Sequence, residues 1–547
     1  MKKAKKAFLS FGFIFIIAGM LVFDLFINIG QPATFDGTTH ITTLAQFYSG
    51  LKDGEIRVMW GDGFANYGMP IPLISQQTTP YLGAVSNFLF HNVVTSFNAV
   101  FFLGALFSAF FYYLFLRIYF KPNIALAGTF LFNFAPYRII NIYIRGAQPE
   151  FFAGVFIPLI LIAIYLIVKK KNIYGIPLLI FSTALLVLTH PFLFIISSFI
   201  FIPYFLYCIM SEKHKRFPLL QTIAAVVCGV GLTAFYTIPL FLEIKYFYYG
   251  AAESHLVPNQ FLGFANYFDP NWYYFYKDDV FVRGNFIKAG LFETLITATG
   301  VLYLLYARIK KQKEPLLFFA VAVSFLIIFL TTAPSQLFYE TVSLLDGIQH
   351  PWRMLSALIF VTPIIACILL QKVKYQTAFV VFFIFLIAFL RFPQVYGKNY
   401  TVYPQQQYFF NPENLHGNVL NTVWTGKTSE YPVKKTKPEI ISGDGTITTA
   451  VVKNSSRHYE IVAAKDLRMA DNTFYFPGWN VYIDGRPTTI EYQDPNHRGV
   501  ITYNVPKGKH IVDVKFELTK VRMLGYGVSA VALVISLLYI VLLWRKK

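Results

Sequence analysis

Asp36 and His40 stand four residues apart in FDGTTHITTLAQFYSGL, so a helix places both on one face. An acid and an imidazole so placed can orient one another or hold a divalent metal ion. The plainer reading is that Asp36 only caps that helix through the amides of Thr38 or Thr39. A second set is cationic: Arg138 and Arg145 in NFAPYRIINIYIRGAQPE, which ends on Glu150, and Arg353 in GIQHPWRMLSAL beside His350. Guanidinium forks suit phosphate oxygens, and an unpaired charge at the edge of an apolar bundle is costly. Either Arg145 and Glu150 are a structural pair, or the arginines face a cavity that receives an anion. His190, Glu243 and Lys245 end apolar stretches on the same expected side, and Asp62 is a second acidic candidate.

The elements that must position these groups are membrane spans. The chain has 547 residues, 56% apolar, 18% aromatic and only 14% charged, yet carries a formal net charge of +19. Stretches with few charges and long enough to cross a bilayer are expected at 7–29, 96–118, 123–141, 150–168, 173–190, 192–210, 217–242, 288–307, 315–332, 354–371, 375–392 and 522–544. Alternate junctions are basic, from Lys2, Lys3, Lys5 and Lys6 to Arg545–Lys547. Placed inside by the positive-inside rule, these 21 basic residues against Glu212 and Glu314 account for the whole excess. The charge therefore reads as topology: a multi-pass protein of the cell (plasma) membrane with both termini cytoplasmic. A nucleic-acid partner is excluded as its explanation. The first span reads as an uncleaved signal anchor, and Cys208, Cys228 and Cys367 as small packing residues within spans.

The basic junctions are too short for a nucleotide domain and hold no phosphate-loop motif. Chemistry is expected on the other side, beginning with a loop at 31–95. In that loop Ile41, Leu44, Ala45, Tyr48 and Leu51 predict an amphipathic helix lying on the membrane surface. Residues 1–392 form the transmembrane region and 522–547 the last span and tail. Between them, 393–521 turns polar, with alternating segments such as VYIDGRPTTIEY and a hairpin signal at Asp484-Gly485, predicting an extracytoplasmic β-rich domain.

Three motifs carry a family resemblance: Asp36-Gly-Thr-Thr-His40 with Trp60 and Asn66-Tyr-Gly-Met-Pro70 beyond it; Pro136-Tyr-Arg138 with Arg145-Gly and Glu150; and Gln349-His-Pro-Trp-Arg353. Together with Tyr475-Phe-Pro-Gly-Trp479 and Val505-Pro-Lys-Gly508-Lys-His510, they resemble the bacterial GT-C membrane glycosyltransferases of YfhO-like type, which modify teichoic acids. His350 departs from the pattern, since Phe is common there. The resemblance implies a mainly α polytopic fold of about twelve transmembrane helices and a polyprenyl-phosphate sugar donor. It implies an acceptor glycan at the cell surface, and maps the catalytic base onto Asp36. His40 would orient Asp36 or bind a metal, and Asp62 would be an alternative base. Arg353, Arg145 and Arg138 would hold the donor phosphate. Two other classes stay open: a lipid or polysaccharide transporter or flippase, and a non-catalytic cell-envelope assembly factor.

Overall fold

In the computed structural model, residues 2–249, 260–268, 287–410, 420–432 and 437–545 are described. The basic tail residues Lys546 and Lys547 lie outside them. A helix stands at every expected span, but not every one is a full crossing. Among the described residues seven helices are long and apolar enough to cross a membrane, or nine if two bent pairs each count as one. The bent pairs are Arg216–Leu232 with Ala234–Tyr246, at 67°, and Pro315–Thr331 with Ala333–Thr341, at 84°. Proline explains the second break, at Ala333-Pro334, and also the splitting of the expected 123–141 span into Pro122–Asn133 and Pro136–Tyr143. The residue before a proline is pushed out of the helical region, and the proline has no N–H to continue the ladder. Phe8–Val22 and Gly175–Thr189 are apolar but shorter.

Gln148–Val168 and Pro351–Lys372 are the most enclosed of these helices, and Gln376–Gln394 and Lys520–Leu542 the least. Small residues let the inner helices close up: a Cβ on Gly128 would stand 2.4 Å from the Cys367 sulfur, and one on Gly104 3.1 Å from the Phe151 ring. The three cysteines are buried and free.

The helix Gly37–Lys52 forms where its apolar spacing predicts, but not on a membrane surface. Ile41 to Phe47 are all buried, packed by Thr78–Phe90, Val93–Leu116 and Gln405–Phe409. An apolar stripe of this width fits a protein core as well as a lipid boundary, and here the polar Thr42, Thr43 and Gln46 are enclosed too.

The β domain has, among the described residues, eight strands: β1 Glu439–Ser442, β2 Gly445–Val452, β3 Ser456–Ala463, β4 Leu467–Phe474, β5 Trp479–Ile483, β6 Arg486–Thr488, β7 Val500–Val505 and β8 Gly508–Phe516. They make two antiparallel sheets, ordered β1-β4-β7 and β2-β3-β8-β5-β6. Asp484 (φ 49°) and Gly485 (φ 76°) turn the β5–β6 hairpin with the left-handed pair that matches strand twist. The domain core is completed from far upstream. Trp60 packs edge-on to Trp479 at 5.1 Å and against Phe516 at 5.2 Å, while Tyr67 stacks on Phe474 at 4.9 Å. Asn454 donates to the Trp60 carbonyl. The segment following Gly37–Lys52 is therefore part of the β domain.

Candidate functional site

Backbone contacts bring Asp36 and Arg145 together before any side chain is considered. The Phe35 N–H donates to the Ile144 carbonyl, and the Asp36 N–H to the Arg145 carbonyl at 2.7 Å. Two glycines permit this approach. Gly146 takes φ +64°, and a Cβ there would lie 2.7 Å from the Gly37 backbone. Asp36 occupies the position preceding the helix Gly37–Lys52, yet its side chain makes no capping hydrogen bond. The capping reading is thereby overturned. Its carboxylate instead stands 3.9 Å from the Arg145 guanidinium, with 47% of the side chain accessible.

Arg145 is held rigidly. Its Nη1 donates to Glu150 Oε2 and to Asn141 Oδ1, both at 2.7 Å. The Tyr137 hydroxyl donates to the other Glu150 oxygen at 2.5 Å. The guanidinium lies 4.8 Å over the Trp352 ring, on whose plane His350 stacks. Burial alone would lower the Arg145 pKa, but Glu150, with Tyr137 and Asp36, raises it above the ordinary value, so the group stays charged. Arg353 Nε is 3.9 Å from the same Glu150 oxygen, and its Nη1 donates to Gln349 Oε1 and the Ile348 carbonyl. Gln349 itself sits at φ 65° and donates to the Tyr249 hydroxyl. One carboxylate thus serves two guanidiniums.

These groups line a cavity of about 750 Å³. Asp36, His40, Arg145, Glu150, His190, Gln349 and Arg353 belong to its polar part; Phe192, Ile195, Leu240, Phe241 and Leu344 belong to an apolar wall. Burial holds the His40 pKa below its ordinary value, with Asp36 opposing and Arg145 reinforcing the shift. Among the described residues no three His, Cys, Asp or Glu side chains converge on a metal position.

Several expected site residues lie elsewhere. Arg138 is absent from the cavity lining: it is buried between Phe132 and Phe151, at 4.4 and 4.2 Å, and donates to Ser108 and Asn133. Asp62 binds Arg457 at 2.5 Å and Lys437 at 2.7 Å, docking the upstream loop to the β domain. Burial raises its pKa, but those two cations outweigh it and leave the carboxyl below its ordinary value. Glu243 is paired with Arg522 at 3.1 Å and accepts from Thr519, tying the Ala234–Glu243 helix to the last helix. Lys245 is exposed over the Tyr246 ring. His350 supports Trp352 without lining the cavity, and burial, with Arg353 and Arg145, pushes its imidazole down to about 3. Tyr137 and Gln349, which lie within the motifs, and Asn141, which does not, take part in the site without having been assigned a role from sequence. A polar series at 137, 141 and 145, spaced by four on an apolar helix, was the available signal for Tyr137 and Asn141.

A family model described as the 6-pyruvoyl-tetrahydropterin synthase related domain, a membrane protein, matches residues 79–396. The chain belongs to this family. Membership establishes a membrane protein, and the matched region contains Arg145, Glu150, His190 and Arg353, while Asp36 and the β domain lie outside it. No curated protein matches the chain. Among solved structures, this member of the pterin-synthase-related family is similar to the apo oligosaccharyltransferase of Archaeoglobus fulgidus, with 12% identity and a TM-score of 0.39. The match covers 71% of this chain and 56% of that one, so the chain aligns with little more than half of the archaeal protein.

Proposed function

We propose that this protein is an inverting membrane glycosyltransferase that moves a sugar from a polyprenyl-phosphate donor to an acceptor glycan, such as teichoic acid, outside the cytoplasm. The observation that carries the reading is the Asp36 carboxylate, uncapped and accessible, in a cavity shared with Arg145 and Arg353 and walled by apolar side chains. Asp36 takes the proton of an acceptor hydroxyl as the oxygen forms its bond to the anomeric carbon. The bond from that carbon to the phosphate oxygen breaks, and the polyprenyl phosphate leaves with the electron pair. Phosphate is a competent leaving group, so the main need is for cations at its developing charge. Arg353 and Arg145 supply them. The apolar wall takes the first isoprenoid units, and the polar part takes the sugar and phosphate. In this reading both termini are cytoplasmic, all twelve helical positions belong to the membrane region, and the cavity opens on the β-domain side.

The test is reconstitution of the full chain in liposomes containing a polyprenyl-phosphate sugar labelled in the sugar. Release of polyprenyl phosphate with sugar transfer, dependent on Asp36, is expected. No release from any polyprenyl-phosphate sugar, with folded protein, would overturn the reading. A transporter would move the intact lipid or glycan across the bilayer without breaking the anomeric bond.

A further inference from the structure

His190 joins the helices Gly175–Thr189 and Pro191–Met210 in an extended conformation, φ −163° and ψ 95°. Its Nδ1 accepts the Leu193 backbone N–H at 3.1 Å and so caps the second helix. Caps of this kind are ordinarily made by Ser, Thr, Asp or Asn, whose short side chains do the same work. An imidazole adds a second nitrogen that a cap does not need. Because Nδ1 accepts, it carries no proton, and the ring's proton is on Nε2.

Among the described residues Nε2 makes no hydrogen bond, although His190 is only 7% exposed and lines the cavity. The titratable groups that act on it across the cavity are Glu150, Arg353, Arg145 and His40. Glu150 is already engaged at both oxygens, by Tyr137 and Arg145. A donor on a buried side chain that lines a cavity, with no hydrogen-bond partner among the described residues, is left to bond with what enters that cavity.

We propose that His190 donates Nε2–H to a phosphate oxygen of the bound lipid, as a neutral third donor beside Arg145 and Arg353. The proposal rests on reading the cavity as a lipid-phosphate site. Asp36 and Glu150 already balance the two arginines, so a neutral donor adds direction without adding charge. The same hydrogen bond strengthens as negative charge collects on the leaving phosphate.

Two substitutions separate this role from capping. His190→Asn keeps a cap acceptor but is too short to reach into the cavity; His190→Gln weakens the cap but carries an N–H about as far as Nε2. Full-length protein in nanodiscs is titrated with undecaprenyl phosphate, and its histidines are observed by ¹⁵N NMR. Expected are the Nε2–H tautomer for His190 and near-normal thermal stability for His190→Asn with about tenfold weaker binding. His190→Gln should be less stable yet bind better than His190→Asn. Binding by His190→Asn within twofold of wild type, or an Nδ1–H tautomer, would overturn the proposal. If Arg353→Gln loses binding while His190→Asn does not, the lipid-phosphate reading stands and only the role of His190 falls. If wild-type protein does not bind the lipid, both fall.

Discussion

Replacing Asp36 by Asn separates chemistry from architecture more cleanly than any other change at this site. The structure makes its stability cost small: the carboxylate caps nothing, is 47% accessible, and meets Arg145 only at 3.9 Å. A half-exposed pair of that length contributes about 0–1 kcal/mol. Arg145 meanwhile keeps Glu150, Asn141 and its place over Trp352. The catalytic cost is large, because losing a positioned general base slows transfer by about 10²–10⁴, or roughly 2.7–5.4 kcal/mol in the barrier. Arg145→Gln could not make this distinction. It takes from Glu150, whose side chain is 2% exposed, the closer of its two cations, and breaking a buried pair costs about 3–5 kcal/mol of folding stability. The assay is sugar transfer in proteoliposomes, run beside thermal unfolding of the same samples. Asp36→Asn should unfold near the wild-type temperature, leave the donor KM nearly unchanged, and lower kcat at least a hundredfold. Transfer within tenfold of wild type by this folded variant would refute Asp36 as the base.

Glu150→Gln removes the charge that Arg145 and Arg353 share, and should lower stability by about 3–5 kcal/mol; added undecaprenyl phosphate should raise the unfolding temperature of this variant, as a ligand of the native state does. Gly146→Ala forces a side chain into a left-handed position 2.7 Å from Gly37; a loss of about 1–3 kcal/mol or more is expected with impaired transfer, and an unchanged unfolding temperature would contradict the close approach. Trp60→Ala should cost about 3–5 kcal/mol and open the loop–β-domain contact to protease. The Asp62 pKa is lowered in the folded state, so its contribution is present above its ordinary 3.8 and is lost as pH falls through the lower folded value. Protease sensitivity of that loop should rise below about pH 4, and Asp62→Asn should abolish the step.

Hydropathy located the apolar helices because each such stretch is continuous in sequence, and alternation marked the segments that became β5–β6 and β8, whereas β4 is buried almost throughout and carries no such alternation. Crossing length was less legible: Pro136 and Pro334 sit inside long apolar runs, and a hydropathy window averages over the backbone break each one makes. At the site, Arg145 and Glu150 were readable as neighbours five residues apart, and Arg353 as a charge at the end of an apolar stretch. Which charge enters the cavity was not, because partners lie far off in sequence. Asp62 is engaged 395 residues away by Arg457, and Glu243 is engaged 279 residues away by Arg522. Asp36 shows the converse, since its local sequence supplies a capping geometry that its side chain declines.

The Trp60 contact also sets an order of events in biosynthesis. Asn454, which binds the Trp60 carbonyl, is made 394 residues later, and the strands carrying Trp479 and Phe516 later still. At about 5–20 residues per second, the loop waits roughly 20–80 s before its apolar residues can be covered. During that interval Trp60 and Leu73, both fully buried in the finished protein, have no C-terminal strands to shield them. A stop codon before residue 439 would leave the membrane helices encoded up to Arg391 but strand this loop permanently. A segment made some four hundred residues later is therefore needed to finish the loop that follows Asp36.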